Sequence, residues 1–380
     1  MNPDREQPTL LLVCTDPGIG WGGTKGAAVH LAEIAAALAA AGTDVIAAVA
    51  RVDDPLAPPG VRLTTMPGPS RGASTGERLA AERARARWLT SLIEDTSAIA
   101  VYERFALHTA AACRAAASTG TPHLVELNAP LIDETAAYRR LDEPQEAARL
   151  EHEVLSRATH VLAVSRPVAA YAASRGARRV ALVPNAVDPR RFGAGADAGR
   201  QPPTAVFVGT LRPWHGIDTL AEAWRVLGPR APRLVVIGDG PGRDRLEAVG
   251  AEITGAVPPS AVPSRLVDCQ IGLAPYPAGG PAYFSPLKLF EYLAAGLATV
   301  AADIPGVTDV LDHRTGIVVP PGDADTLARA IDDLAASPAL RVSLGRAGRA
   351  HASAQHTWAH RARTILALAA AASDRHGVAS

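Results

Sequence analysis

The run Ser285-Pro-Leu-Lys-Leu-Phe-Glu-Tyr-Leu-Ala-Ala-Gly296 sets one lysine and one glutamate three residues apart in an otherwise apolar segment. Serine is a good helix N-cap, proline is favoured at the first helical position and glycine ends helices, so a helix is expected over about Pro286–Ala295. Leu287, Leu289, Phe290, Leu293 and Ala294 make it apolar nearly all round, which is the mark of a buried helix. Lys288 and Glu291 then share one face. A lysine in the first turn opposes the positive end of the helix dipole unless an anion sits there too, and a bound phosphate resolves that conflict. A buried Glu291 needs donors, which ribose hydroxyls would supply; a Lys288–Glu291 ion pair would satisfy both groups without a ligand.

Other candidates are weaker. Val236-Ile-Gly-Asp-Gly-Pro-Gly-Arg243 follows a strand and precedes a helix, so Gly238 and Gly240 permit close approach of a ligand to backbone. It is not the dinucleotide fingerprint, because position 243 is arginine and no acidic residue closes a second strand. Ser285-x-x-Lys288 matches a serine hydrolase spacing without its partner motifs, and the N-cap explains the serine. Asp323-x-Asp325 follows Pro-Pro-Gly and opens a helix, where aspartate is a cap and first-turn acid, so no metal is implied. His356-x-x-x-His360 would place two imidazoles on one helix face but lacks a glutamate and a third ligand.

Positioning these groups requires a scaffold, and the chain alternates short Val, Ile and Leu runs with longer amphipathic stretches, the pattern of an α/β fold with parallel sheets. Strands are expected at Leu10–Cys14, Val45–Val49, Val61–Thr65, Ala98–Tyr102, His123–Leu127, Val161–Val164 and Val180–Val183. A helix from about Gly26 carries Leu31, Ile34 and Leu38 on one face. Asp188–Pro203 has no apolar periodicity and reads as a linker. The scheme then repeats, with strands at Ala205–Val208, Leu234–Ile237, Ile271–Ala274, Ala298–Ala301 and Ile317–Val319. The expected organisation is a first domain over 1–187, a linker over 188–203, a second domain over 204–354, and a last segment over 355–380. In open α/β sheets ligands lie beyond the carboxyl ends of strands, which singles out Glu103, Arg104, Glu126 and Asn128, unless these are structural caps.

At 380 residues the chain exceeds one ordinary core, so two domains are the default. A formal net charge of zero argues against nucleic acid as a partner. The Arg-rich stretch Arg78–Arg87 reads as a solvated helix and not a membrane-surface one. Three scattered cysteines suggest no disulfide framework, and Met1–Pro8 is polar, with no run long enough to span a bilayer, so a cytoplasmic setting is expected.

With these residues in view, Ser285–Gly296 resembles the signature of the retaining family-four glycosyltransferases, which have two Rossmann-like domains facing across a cleft (GT-B). In that family the glutamate at the position of Glu291 holds the nucleotide ribose. Val183-Pro-Asn-Ala-Val-Asp188 resembles the family's entry to its donor domain, with Ala186 for the usual glycine, and Phe207–Gly216 resembles its phosphate-side loop. There the family carries Arg and Lys where this chain has Thr210 and His215, so the resemblance moves the phosphate role to Arg212 and His215. Gly20-Trp-Gly-Gly-Thr-Lys-Gly26 resembles the family's glycine loop, which implies that Gly22, Gly23 and Lys25 face the diphosphate. Tyr283 stands where the family's motif has its first glutamate, so the sugar is expected to be gripped differently.

The resemblance implies transfer of a sugar from a nucleotide diphosphate donor to a small-molecule or glycan acceptor, with retention, without cofactor or metal. Asn128, Glu126, Arg212 and Lys288 are the expected catalytic set. Gly209, Gly238, Gly240, Ser285, Pro286 and Leu287 join the donor side, while Glu103, Arg104 and Asn128 are expected on the acceptor side, in the first domain. The last helix, about Gln355–Ala372, is expected to return to that domain through Trp358 and Ile365. A nucleotide-sugar epimerase of the same fold and a two-lobed sugar-binding protein are the competing readings; export would suit the latter.

Overall fold

The computed structural model describes residues 7–68, 75–193 and 196–376, which form two compact units. One runs to Pro184 and includes the chain from Trp358 onward; the other is Asn185–Thr357. Residues 1–6 of the polar N-terminal stretch and residues 194 and 195 of the expected linker lie outside the described residues.

The first unit holds seven strands: β1 (Thr9–Cys14), β2 (Asp44–Val49), β3 (Val61–Thr65), β4 (Ala100–Arg104), β5 (His123–Leu127), β6 (His160–Ala163) and β7 (Val180–Leu182). All pairs are parallel, in the order β3-β2-β1-β4-β5-β6-β7. Strand β1 is an unbroken apolar run because both its faces are covered: Leu10, Leu11, Leu12 and Val13 are all fully buried. Strand β4 starts two residues later than its apolar run suggests. The helix Thr75–Thr96 ends in a turn in which Ala98 N donates to Ile93 O at 3.1 Å, and Ser97 takes φ 48°. Glu103 and Arg104 therefore lie within the strand.

The second unit holds β8 (Thr204–Val208), β9 (Arg233–Ile237), β10 (Glu252–Ile253), β11 (Ile271–Ala274), β12 (Ala298–Ala302) and β13 (Gly316–Val319), parallel in the order β10-β9-β8-β11-β12-β13. Strand β10 is two residues long, too short to show as an apolar run. Both sheets reverse their strand order once, beside β1 and beside β8, which is where α/β sheets open a crevice.

Three expectations need correction. The stretch Asp188–Pro203 is not featureless: Asp188 accepts the Arg190 amide at 3.0 Å to start a short 3-10 turn, and Phe192, 3% exposed, joins the core of the second unit. His356 and His360 do not share a helix, because one helix ends at Gln355 and the next begins at Trp358. Within Arg78–Arg87, Glu82 and Arg85 are buried and not solvated. Glu82 accepts the Ala110 amide at 2.7 Å and the Thr109 hydroxyl at 3.0 Å, capping the helix Ala111–Thr119 from a distance.

The helix Trp358–His376 buries Trp358, Ala362, Ile365, Ala369 and Ala372, a stripe at 4,3-spacing, against Gly26–Ala40 of the first unit. Among the described residues no helix is long and apolar enough to cross a membrane.

Candidate functional site

In the second unit the strand-order switch lies between β8 and β11, and the helix Leu287–Ala295 closes it. Tyr292 on that helix donates its hydroxyl to Leu273 O at 3.2 Å and accepts the Val208 amide at 2.8 Å, tying the ends of both strands together. The loop after β8 packs tightly on its neighbours. A Cβ on Gly216 (φ 74°) would lie 1.3 Å from Pro275 O, and one on Gly238 (φ 148°) would lie 2.0 Å from Gly209 O. The space that Gly238 and Gly240 leave is therefore taken by the backbone of the Gly209–Leu211 loop, not kept for a ligand.

Lys288 is 8% exposed, with Nζ 3.9 Å from the Phe207 ring centre and 5.9 Å from that of Tyr276. Gly209 admits it, since a Cβ there would stand 3.1 Å from Nζ. Among the described residues no hydrogen-bond acceptor reaches this ammonium. Burial pushes its pKa down to about 7, against the pull of Glu291 one turn on. Glu291 is half-buried, more open than the apolar pattern implied. The helix N-terminus at Pro286 has no side-chain cap. Ser285 is thus not the N-cap: its Oγ accepts the Asn185 amide at 3.0 Å, and its carbonyl accepts from the Asn185 side chain. Pro286 and Leu287 are half-buried at the same helix start, and Tyr283 packs its ring 5.0 Å from Phe284.

Arg212 is exposed, its guanidinium 5.7 Å from the centre of the Trp214 ring. His215 bonds the Thr210 carbonyl through Nδ1 at 2.7 Å, and burial, reinforced by the Lys288 charge, pushes its pKa down to about 3. With no anion beside it the imidazole is therefore neutral.

In the first unit Glu126 anchors a buried network. Its carboxylate takes His30 Nε2 at 2.6 Å, Arg104 Nη1 at 2.7 Å, the Tyr102 hydroxyl and the Asn128 amide. Burial alone would raise its pKa, but His30, Arg104 and Tyr102 together hold it well below the carboxylate range. Two expectations fail here. Glu103 is fully buried and pairs with His123 Nε2 at 2.7 Å on the opposite face of β4, so it cannot line an acceptor surface. Glu126 is 3% exposed with its lone pairs occupied, so it holds Arg104 and Asn128 and does not touch substrate. Those two, half-buried, remain at the strand ends.

The glycine loop after β1 is pinned to the segment after β2: Trp21 N donates to Arg51 O at 2.9 Å and Asp53 N to Trp21 O at 2.8 Å. Gly20, Gly23, Thr24 and Lys25 line a cleft of about 90 Å³ with Arg51 and Asp53. Gly22 (φ 76°) is exposed beside it, and Lys25 is the exposed residue before the helix Gly26–Ala40.

Sequence reasoning missed Tyr276, Tyr102 and His30. Tyr276 stands two residues past β11, where the strand-end rule would have found it; His30 sits among the apolar residues of its helix face, with nothing to mark it as polar anchor.

Residues 24–191 match the model of Glycosyltransferase Family 4, and residues 202–337 match that of Glycosyl transferases group 1. A D-inositol 3-phosphate glycosyltransferase of Jonesia denitrificans is 28% identical over 229 residues, 55% of this chain and 53% of that protein. Matches span between about a third and about half the length of the first curated relatives. Among solved structures, a sucrose-phosphate synthase from Thermosynechococcus elongatus superposes with TM-score 0.75 at 20% identity, covering 98% of this chain and 100% of that one. The Anabaena HepE protein in complex with UDP gives 0.72 at 15%, covering 96% and 100%. Two parallel-sheet domains in tandem, an anion-ready helix start on the second, and these matches lead to one conclusion: the chain belongs to the family-four, group 1 glycosyltransferases and has the GT-B fold.

Proposed function

We propose that the protein transfers a glycosyl group from a nucleotide diphosphate sugar to an acceptor hydroxyl, the second unit holding the donor and the first the acceptor. The observation that carries this reading is Lys288: a buried ammonium with no hydrogen-bond acceptor among the described residues, at an uncapped helix N-terminus. An anion of matching size keeps that lysine charged and relieves the arrangement, and a diphosphate has the charge to do so. Glu291, one turn on and half-buried, is placed to accept ribose hydroxyls.

The leaving diphosphate is met by Lys288, the helix start and Arg212 in place of a cation, so turnover is expected to be metal-independent. With Glu126 enclosed, Asn128 and Arg104 are the groups at the strand ends left to meet an acceptor. Retention of configuration follows the family pattern. Tyr283, in place of a carboxylate, offers the sugar a ring face and one phenol. UDP in HepE and the phosphorylated polyol named for the Jonesia relative mark the donor and acceptor classes to try first.

The test is a thermal-shift screen of UDP-, GDP- and ADP-sugars in EDTA. One base should raise Tm in a concentration-dependent way, as ligand linkage requires. No shift with any of them would defeat the reading.

A further inference from the structure

The loop after β8 fixes one residue from several sides. Thr210 O receives the Arg212 amide at 2.9 Å and His215 Nδ1 at 2.7 Å, and the next amide, Leu211 N, is held by Asp239 O at 3.0 Å. The Thr210–Leu211 peptide plane is thus bound at both ends, and Gly209 N donates to Ile237 O at 2.9 Å, so the Gly209–Thr210 peptide that carries the Thr210 N–H lies between two fixed planes. Thr210 itself is exposed, and its own N–H has no acceptor among the described residues. It lies next to Gly209, whose Cα faces the Lys288 ammonium.

His215 is walled by rings: Phe207, Trp214, Tyr276 and Phe284 stand 6.5, 6.3, 6.3 and 6.3 Å from it, centre to centre. The charges bearing on it are cationic. Lys288 opposes a second positive charge nearby, Arg212 starts the same turn, and the buried Tyr276 phenol is held in its neutral form. Glu291 acts on Lys288. With its one N–H given to Thr210, a neutral imidazole presents at Nε2 a lone pair, which a phosphate oxygen avoids.

Resting on the nucleotide-sugar reading above, we propose that His215 is a positioning residue, whose Nδ1–H holds Thr210 so that the Thr210 amide, and not the imidazole, meets the donor's phosphate. Lysine or arginine at this place would bring charge; histidine brings a fixed peptide. The site's charge then comes from Lys288 and Arg212.

The experiment is calorimetric titration of the full chain with UDP-glucose, GDP-mannose and ADP-glucose, comparing wild type with His215→Phe and His215→Asn between about pH 5.5 and about pH 8. Phenylalanine keeps the ring packing and loses the bond to Thr210; asparagine offers an amide N–H in place of Nδ1–H. Binding of the accepted donor should weaken at least about tenfold in His215→Phe and return to within about threefold of wild type in His215→Asn. Below about pH 6, where Lys288 is already charged, wild-type affinity should show no further gain. Both variants equally weak, with wild-type affinity still climbing as pH falls below about 6, would make His215 a cationic phosphate ligand and overturn the proposal. An unchanged His215→Phe would overturn it also, leaving the nucleotide-sugar reading intact. No binding of any donor by wild type would overturn both.

Discussion

Lys288 carries the chemistry at the scale of single residues. Burial holds its pKa down at about 7, so it changes charge near neutral pH. A diphosphate favours the charged form, so it raises that pKa on binding. The sign follows: donor affinity is highest below about 7 and falls as pH rises through it, by about tenfold per unit until the bound-state pKa is reached. Lys288→Arg, which cannot lose its proton in this range, should flatten the profile; a titration of donor affinity from about pH 6 to about pH 9 checks it. Glu126 works in the opposite sense. Its depressed carboxyl contributes stability that is complete above the ordinary carboxylate range and is lost as pH falls through the lowered value. Glu126→Ala leaves His30 and Arg104 buried without their anion, and chemical denaturation should show a loss of about 3–5 kcal/mol. Lys288 was legible in the sequence because a lone cation in an apolar helix start contradicts local physics. Glu103 and Glu126 were misread because position at a strand end does not say which face a side chain takes or how many donors converge on it.

Elements set where those residues stand. The helix Leu287–Ala295 was legible to within a residue, since proline and glycine punctuate it. Its start was less so: Ser285 faces Asn185, a hundred residues away in sequence, and no local pattern announces that. Strand β4 slid by two residues because the end of the preceding helix consumed Ala98 in a turn. The same limit hid Glu82, which looked like one charge among many on the helix Thr75–Thr96 yet caps the helix Ala111–Thr119. Glu82→Ala should cost about 1–2 kcal/mol by uncapping that helix, measured by urea denaturation, whereas the neighbouring exposed Arg83→Ala should be neutral.

At the scale of the whole chain, the repeat of one α/β scheme was plain from the alternation of apolar runs, and both sheets adopt the same strand order about their switch points. Less plain was the way the helix Trp358–His376 supports the polar network of the first unit. Trp358 sets its ring edge-on to His30 at 4.9 Å, and His30 holds Glu126, so the end of the chain supports the network under Arg104 and Asn128. Trp358→Ala should therefore cost about 3–5 kcal/mol, seen as earlier melting of the first unit, while donor binding to the second unit persists.

The central claim is that a nucleotide diphosphate sits at the start of the helix Leu287–Ala295, and its direct test is calorimetric Kd for the donor that wild type accepts, measured with Lys288→Ala in EDTA. Wild type should bind without added metal, and the folded variant should lose at least about 2–3 kcal/mol of binding, that is about thirtyfold or more. Equal affinity in wild type and variant, or binding that returns only with magnesium or manganese, would contradict it.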